Sequence, residues 1–141
     1  MEETPAVSLP STDLDRERAS FGRRLVALII DSLVVGLVGG ILAYATGTDL
    51  VEIPVSAAYF TYFHGRTGQT PGNAALGVRV IDFRDGTGKP IGYGRALTRW
   101  LVSIVSALCF LLGYLWMLWD GENQTWHDKA AGSVVVKLES Y

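Results

Sequence analysis

Arg24 and Asp31 are the residues whose types and spacing could do chemistry. They stand seven positions apart at the head of a long apolar run, two helical turns along nearly the same face, with an axial separation of about 10.5 Å. A carboxylate about a third of the way into an apolar helix costs on the order of 2.5 to 3.5 kcal/mol on insertion scales, so a partner should offset it. The spacing is too long for a direct bridge to Arg24. The two therefore share a polar seam whose remaining partners come from another segment, with Arg95, Arg99, His127 and Lys129 as the available cations. Two chemistries fit such a seam: a proton or cation relay, and an interhelical ion pair that fixes packing. Gly36 and Gly40 form a GxxxG pair in the same run, extended by Ala43 and Gly47, at about 140° to 180° around the helix from Asp31. That small-residue face predicts close approach of another helix, and hence a homo-oligomer or a membrane partner protein.

Other chemistries lack their residues. Gly65-Arg66-Thr67-Gly68-Gln69-Thr70-Pro71-Gly72 is a turn-rich loop without the Lys-Ser or Lys-Thr ending of a phosphate-binding loop, and Gly86-x-Gly88 and Gly92-x-Gly94 lack the third glycine of a dinucleotide fingerprint. No G-x-S-x-G elbow is present, and His127-Asp128 beside Trp126 is not by itself a hydrolytic constellation. One cysteine, Cys109, and two histidines are too few for a zinc site unless carboxylates complete it. The expectation is a protein with no cofactor and no enzymatic activity. Twelve Lys and Arg against fourteen Asp and Glu in 141 residues leave a net charge of -2, which provides no general attraction to nucleic acid. With 49% hydrophobic and 18% charged residues, the chain is more apolar than an ordinary soluble domain.

The elements that must position these residues follow from the distribution of that apolarity. Leu25 to Thr48 holds 24 residues with Asp31 as the one charge, long enough for the roughly 30 Å hydrocarbon core. A cleaved signal peptide ending at Ala43-Tyr44-Ala45 is the competing reading; a long polar stretch before the run and the acidic residue within it favour a span. Leu50 to Phe63, with Glu52 and Pro54 in its first turn, predicts a second, short span, and the uncharged Trp100 to Trp119 a third. A helical hairpin around Gly113 would make the total four. Residues 1–20, polar and carrying Pro5 and Pro10, read as a disordered tail or a helix at the membrane surface. Leu76 to Asp82 alternates as a strand, turns over Arg84 to Gly88 and could return through Pro90 to Tyr93 as a cytoplasmic β-hairpin; Ser133 to Leu138 is a further strand.

Lys and Arg placement sets orientation. Arg16, Arg18, Arg23 and Arg24 precede the first span, the first inter-span loop has none, and six fall between His64 and Arg99. This predicts a multi-pass protein of the cell membrane with the N-terminus and central loop cytoplasmic. Three straight spans then put the C-terminal strand on the opposite side from Val78 to Ile81, its most natural pairing partner. A re-entrant third segment would remove the conflict.

Four ordered motifs carry a resemblance: Arg24 to Asp31 at the head of the first span, Gly68-Gln69-Thr70-Pro71-Gly72 followed by Leu76 to Asp82, Arg95-Ala96-Leu97-Thr98-Arg99, and Trp126-His127-Asp128-Lys129-Ala130-Ala131-Gly132 running into Ser133 to Val136. Over Ser20 to Leu138 the chain resembles the RDD family of bacterial and archaeal membrane proteins. The resemblance maps the arginine and two aspartates of the family's name onto Arg24, Asp31 and Asp128, with Asp120 as second choice for the last. Asn73 stands where a lysine is usual and Trp126 where a leucine is. The resemblance implies an integral membrane fold and a role in transport, cation/proton exchange among the activities proposed for members.

Overall fold

A computed structural model describes residues 16–84, 88–109 and 111–138. Helix α1 (Phe21–Thr46) begins where the Ser20 side chain accepts the Arg23 N–H and ends at Gly47, whose φ of 76° supplies the left-handed C-cap. Its 26 residues rise roughly 39 Å. A single turn over Asp49–Val51 leads into α2 (Glu52–Arg66), with Pro54 in the first turn where its missing N–H costs nothing. Short α3 (Pro71–Ala75) is capped by the Thr70 hydroxyl and feeds strand β1 (Val78–Asp82). Then follow α4 (Tyr93–Leu108), α5 (Leu112–Leu115) with a further turn over Trp116–Leu118, α6 (Trp126–Ala131) and strand β2 (Ser133–Lys137). The chain is thus mostly helical, with one small antiparallel sheet.

β1 pairs with β2, Val78 opposite Lys137 and Asp82 opposite Ser133. The expected return of β1 through Pro90 to Tyr93 does not form as a strand: Tyr93 opens α4, the Asp82 N–H donates to Lys89 O at 2.7 Å on one edge of β1, and the β-branched run Val134-Val135-Val136 pairs along the other. The apex of the expected turn, 85–87, lies outside the described residues. Both sheet faces are covered. Val78, Val80 and Val135 pack with Ala19, Ile91, Ala96 and Ala131 on one side, while Ile81, Val134 and Val136 fill the other. Such two-sided burial is why β2 reads as continuous valine rather than alternation.

Two further expectations are corrected. Residues 16–20 are neither disordered nor a surface helix. Arg18 bridges Val136, the Ala19 N–H donates to Val135 O at 2.9 Å, and the Lys137 N–H donates to Glu17 O at 2.7 Å. The outer edge of β2 needs a pairing partner, and this segment supplies one. The remainder of the expected tail, 1–15, lies outside the described residues. Three straight spans are not found either: among the described residues, α1 is the one helix long and apolar enough to cross a membrane. α2 has 15 residues. The third apolar run breaks after Leu108, and the helical segments on either side meet at 109°. Leu111, a non-glycine residue at φ 62°, makes the break two positions before Gly113. This bend turns the chain back, so that β2 reaches β1 on one side of the molecule.

Candidate functional site

Among the described residues Asp128 is the most deeply buried charge, with no exposed side-chain surface. Its position follows from a capping box: the Thr125 hydroxyl accepts the Asp128 N–H, and Asp128 Oδ2 accepts the Thr125 N–H at 3.0 Å. The same Oδ2 lies 2.7 Å from Arg24 Nη1 of α1, and Oδ1 pairs with Arg99 Nη1 of α4. One carboxylate thus joins three helices. Arg24 also donates to the Asn123 carbonyl at 3.0 Å and lies over the Tyr114 ring, 5.7 Å from its centroid. Asp120 instead pairs with half-exposed Lys129 at 2.6 Å.

Asp31, 2% exposed, does not join this cluster, nor does it take a cation among the described residues. Three neutral donors hold it. Tyr59 Oη reaches Oδ1 at 2.8 Å, the Gly72 N–H reaches the same oxygen at 2.8 Å, and Thr70 Oγ1 donates to Oδ2. The expectation of a partner among Arg95, Arg99, His127 and Lys129 is therefore corrected. Arg95 is committed to Asp82 and to the carbonyls of Ala131 and Gly132, and Lys129 to Asp120. Gly72 has to be glycine: a Cβ there would lie 2.2 Å from Ala27 O and 2.8 Å from Asp31 Cγ. The Thr70-Pro71 pair, which reads as part of a loop, is a hydroxyl N-cap followed by a proline at the first helical position. That sequence signal could have revealed α3. Tyr59 carried none.

Arg24, Asp31, Arg99 and His127 nevertheless line one cavity of about 280 Å³, between α1, α2, α4 and the bend into α5. His64 joins them, its Nε2 3.2 Å from Asn73 Nδ2, so the residue at the usual lysine position makes a polar contact in the cavity wall. Leu28, Phe60, Trp100 and Ile104 give the cavity its apolar part. His127 packs its ring against Tyr114, 6.1 Å between centroids. Burial, and then the charges of Arg99, Arg24 and His64, hold the His127 imidazole well below the ordinary histidine value, so it is neutral at physiological pH. Gly36 and Gly40 lie away from this site. A Cβ on either would meet nothing within 4 Å, whereas a Cβ on Gly39 would lie 3.1 Å from Glu52 Cγ. No group of His, Cys, Asp and Glu suited to a metal occurs among the described residues.

The match to the RDD family model covers residues 18–132. The chain belongs to the RDD family. It is similar to the "Proline-rich antigen" of Mycobacterium leprae (strain TN), 34% identical over 79 residues, which are 56% of this chain and 31% of that protein. It is 33% identical over 79 residues to the "Proline-rich antigen homolog" of Mycobacterium tuberculosis (strain ATCC 25618 / H37Rv), covering 56% and 32% of the two chains. A Haemophilus influenzae protein named only "Uncharacterized protein" is 30% identical over 128 residues, 86% of this chain and 80% of that one. The matched segment spans about a third of the length of the mycobacterial relatives. No solved structure matches the chain. RDD proteins are of membrane type, and α1 fits that character: Ile29, Leu33, Leu37 and Ile41 are between 51% and 69% exposed, which a buried helix of a water-soluble core would not show. Arg24 and Asp31 of the same helix are tied to α6 and α3, so a cleaved leader would take half the site with it.

Proposed function

We propose that this RDD protein carries an ion or small solute across the cell membrane, using the cavity that Arg24, Asp31, Arg99 and His127 share. The observation behind this reading is the gathering of ionisable side chains from α1, α4 and α6 around one cavity beside a helix long enough to span a bilayer. Ionisable groups at membrane depth are expensive, and an ion or solute pathway is a common reason to keep them. The two oxygens of Asp31 accept three hydrogen bonds of about four available positions, which leaves one acceptor for a proton or cation in the cavity. Alternating access needs two halves that rock about a site, more than one such small chain offers. The carrier is accordingly an oligomer or a complex with a membrane partner, with the open Gly36 and Gly40 face as the contact. The N-terminus and central loop face the cytoplasm, following the Arg and Lys distribution.

The test is flux in proteoliposomes containing the purified full chain, with a pH-sensitive dye inside and sodium or potassium gradients imposed. The reading expects gradient-driven pH change above that of protein-free vesicles. Flux equal to protein-free vesicles for both cations removes cation/proton exchange. If a panel of small organic solutes also fails to cross, the carrier reading falls and the chain is a module that anchors a partner protein.

A further inference from the structure

Strand pairing limits how many times the chain can cross a bilayer. The segment before α1 donates the Ala19 N–H to Val135 O of β2, and β1, which follows α2 and α3, pairs with the same strand. Directly after α5 and its following turn, Glu122 bridges Arg18 at 2.8 Å. The chain therefore stands on one side of the membrane before α1, after α3 and after α5, and each stretch between these points makes an even number of crossings. α1 and α2 supply two: they run antiparallel, with Glu52 beside Gly39 and Tyr59 on Asp31. From Asp82 to Tyr93 the chain stays by the sheet, the Asp82 N–H donating to Lys89 O. α4 then rises roughly 24 Å over its 16 residues. The return holds only the four residues of α5 and the three of the turn after it, about 12 Å. A second crossing needs roughly 30 Å, so the even number here is zero.

The surface of α4 is nevertheless made for hydrocarbon. Arg95 reaches Asp82 and the carbonyls of Ala131 and Gly132, Arg99 reaches Asp128, and Ser106 is buried, so the face toward the sheet and α6 is the polar one. The outward stripe of Leu97, Leu101, Val105 and Leu108 is between 42% and 78% exposed. A helix on the surface of a water-soluble protein shows the reverse arrangement. Past the bend the stripe continues through Leu111 and Leu112 to Trp116 and Trp119, whose rings meet edge to face at 5.4 Å just before Asp120. Aromatic rings in that position suit the boundary between acyl chains and headgroups. Trp100 Nε1 also donates to Ser56 Oγ of α2 at 3.0 Å, which holds α4 against a helix that crosses. We propose that α4 and α5 enter the leaflet beside the sheet and leave it on the same side, with the Leu97 to Leu108 stripe against acyl chains, so that α1 and α2 are the two crossings. α2 is short for a crossing, and local thinning of the bilayer accommodates it.

Cys109, the one cysteine of the chain, stands exposed at the bend and serves as the natural probe. The full chain carrying a nitroxide on Cys109 is placed in phosphatidylglycerol/phosphatidylcholine vesicles, and spin relaxation by dissolved oxygen is compared with relaxation by a hydrated nickel chelate. The proposal expects oxygen to dominate, with the chelate reaching Cys109 about tenfold less than it reaches a label at Lys89→Cys, because the hydrocarbon core excludes water-bound solutes. Equal access of the chelate to both positions overturns it. The side is read by a membrane-impermeant maleimide on single-cysteine variants in the Cys109→Ser background, applied to intact cells and to inside-out vesicles. Lys89→Cys before α4 and Gly121→Cys after α5, both at exposed positions, should label from the same side, and Tyr44→Cys at the far end of α1 from the other. Labelling of Gly121→Cys from the side of Tyr44→Cys would show that α4 and α5 cross, and would overturn the proposal. If a variant fails to fold, the nitroxide on the natural Cys109 still decides. Proton flux, present or absent, leaves this placement untouched, so the carrier reading and this one can fail separately.

Discussion

Replacing Asp128 should cost far more than replacing either arginine, because of how charge is shared at the three-helix junction. Asp128 neutralises both Arg24 and Arg99, and all three side chains are at most 7% exposed. Asp128→Asn keeps the size of the side chain and an oxygen for the Thr125 N–H, yet leaves two guanidinium groups facing each other without a counter-charge. Breaking a buried pair from the shared side costs about 3 to 5 kcal/mol, and two orphaned cations put this case at the upper end. Arg24→Met leaves Asp128 paired with Arg99, a neutral couple. Its main loss is the donor to the Asn123 carbonyl, about 2 kcal/mol. The expected difference is therefore about 2 to 3 kcal/mol, and the double variant should be less destabilised than the sum of the singles because removal of Arg24 relieves the repulsion that Asp128→Asn creates. Reversible unfolding of the purified protein in mixed micelles, monitored by tryptophan fluorescence, measures all three. Arg24→Met as damaging as Asp128→Asn, or strict additivity of the two, would refute the shared-carboxylate account.

Gly72→Ala should destabilise by about 3 kcal/mol or prevent folding, since its Cβ would meet a backbone carbonyl at 2.2 Å; thermal melts read this, and a neutral effect would mean α3 does not lie against α1. Arg95→Lys keeps the charge but not the planar fork that serves Asp82, Ala131 and Gly132 together, so a loss of about 2 kcal/mol is expected, and wild-type stability in that variant would count against the fork. His127 is held below the ordinary value of 6.5 by burial first and then by Arg99, Arg24 and His64. In the unfolded chain it takes up a proton as pH falls below about 6.5, while in the folded chain it does not. Stability should therefore be full above that pH and fall by up to about 1.4 kcal/mol per unit below it, and His127→Gln should reduce that slope; an identical slope in the variant would show that His127 contributes none of it.

Much of this is legible in the sequence. Asp31 stands out because charge within apolar sequence is costly, Arg24 because it shares a helix face with Asp31, and Asp128 only through the resemblance to the family's motifs; the pairing preference of Val134 to Val136 for Val78 to Ile81 exposes a conflict with three straight spans. The structure resolves that conflict with the bend, whose position was hidden: neither proline nor glycine marks Leu111, and a left-handed leucine leaves no local signature. The partners of Asp31 were hidden for another reason. A search among cations overlooks that neutral hydroxyls and one backbone N–H can satisfy a buried carboxylate, and Tyr59 and Thr70 lie 28 and 39 residues away. Residues 16–20 have no apolar periodicity because their contribution to the sheet edge is made through backbone groups.

The central claim is that Asp31 takes part in carriage rather than serving only as a tie between α1, α2 and α3, and Asp31→Asn tests it most directly. The amide oxygen can still accept from Tyr59 and Gly72, and the amide nitrogen can donate to Thr70 Oγ1 by reversing that bond, so the fold should persist. The account predicts cation-coupled proton flux in proteoliposomes of the wild-type chain and its loss in the variant at matched melting temperature and assembly. Undiminished flux in a folded Asp31→Asn protein would contradict it.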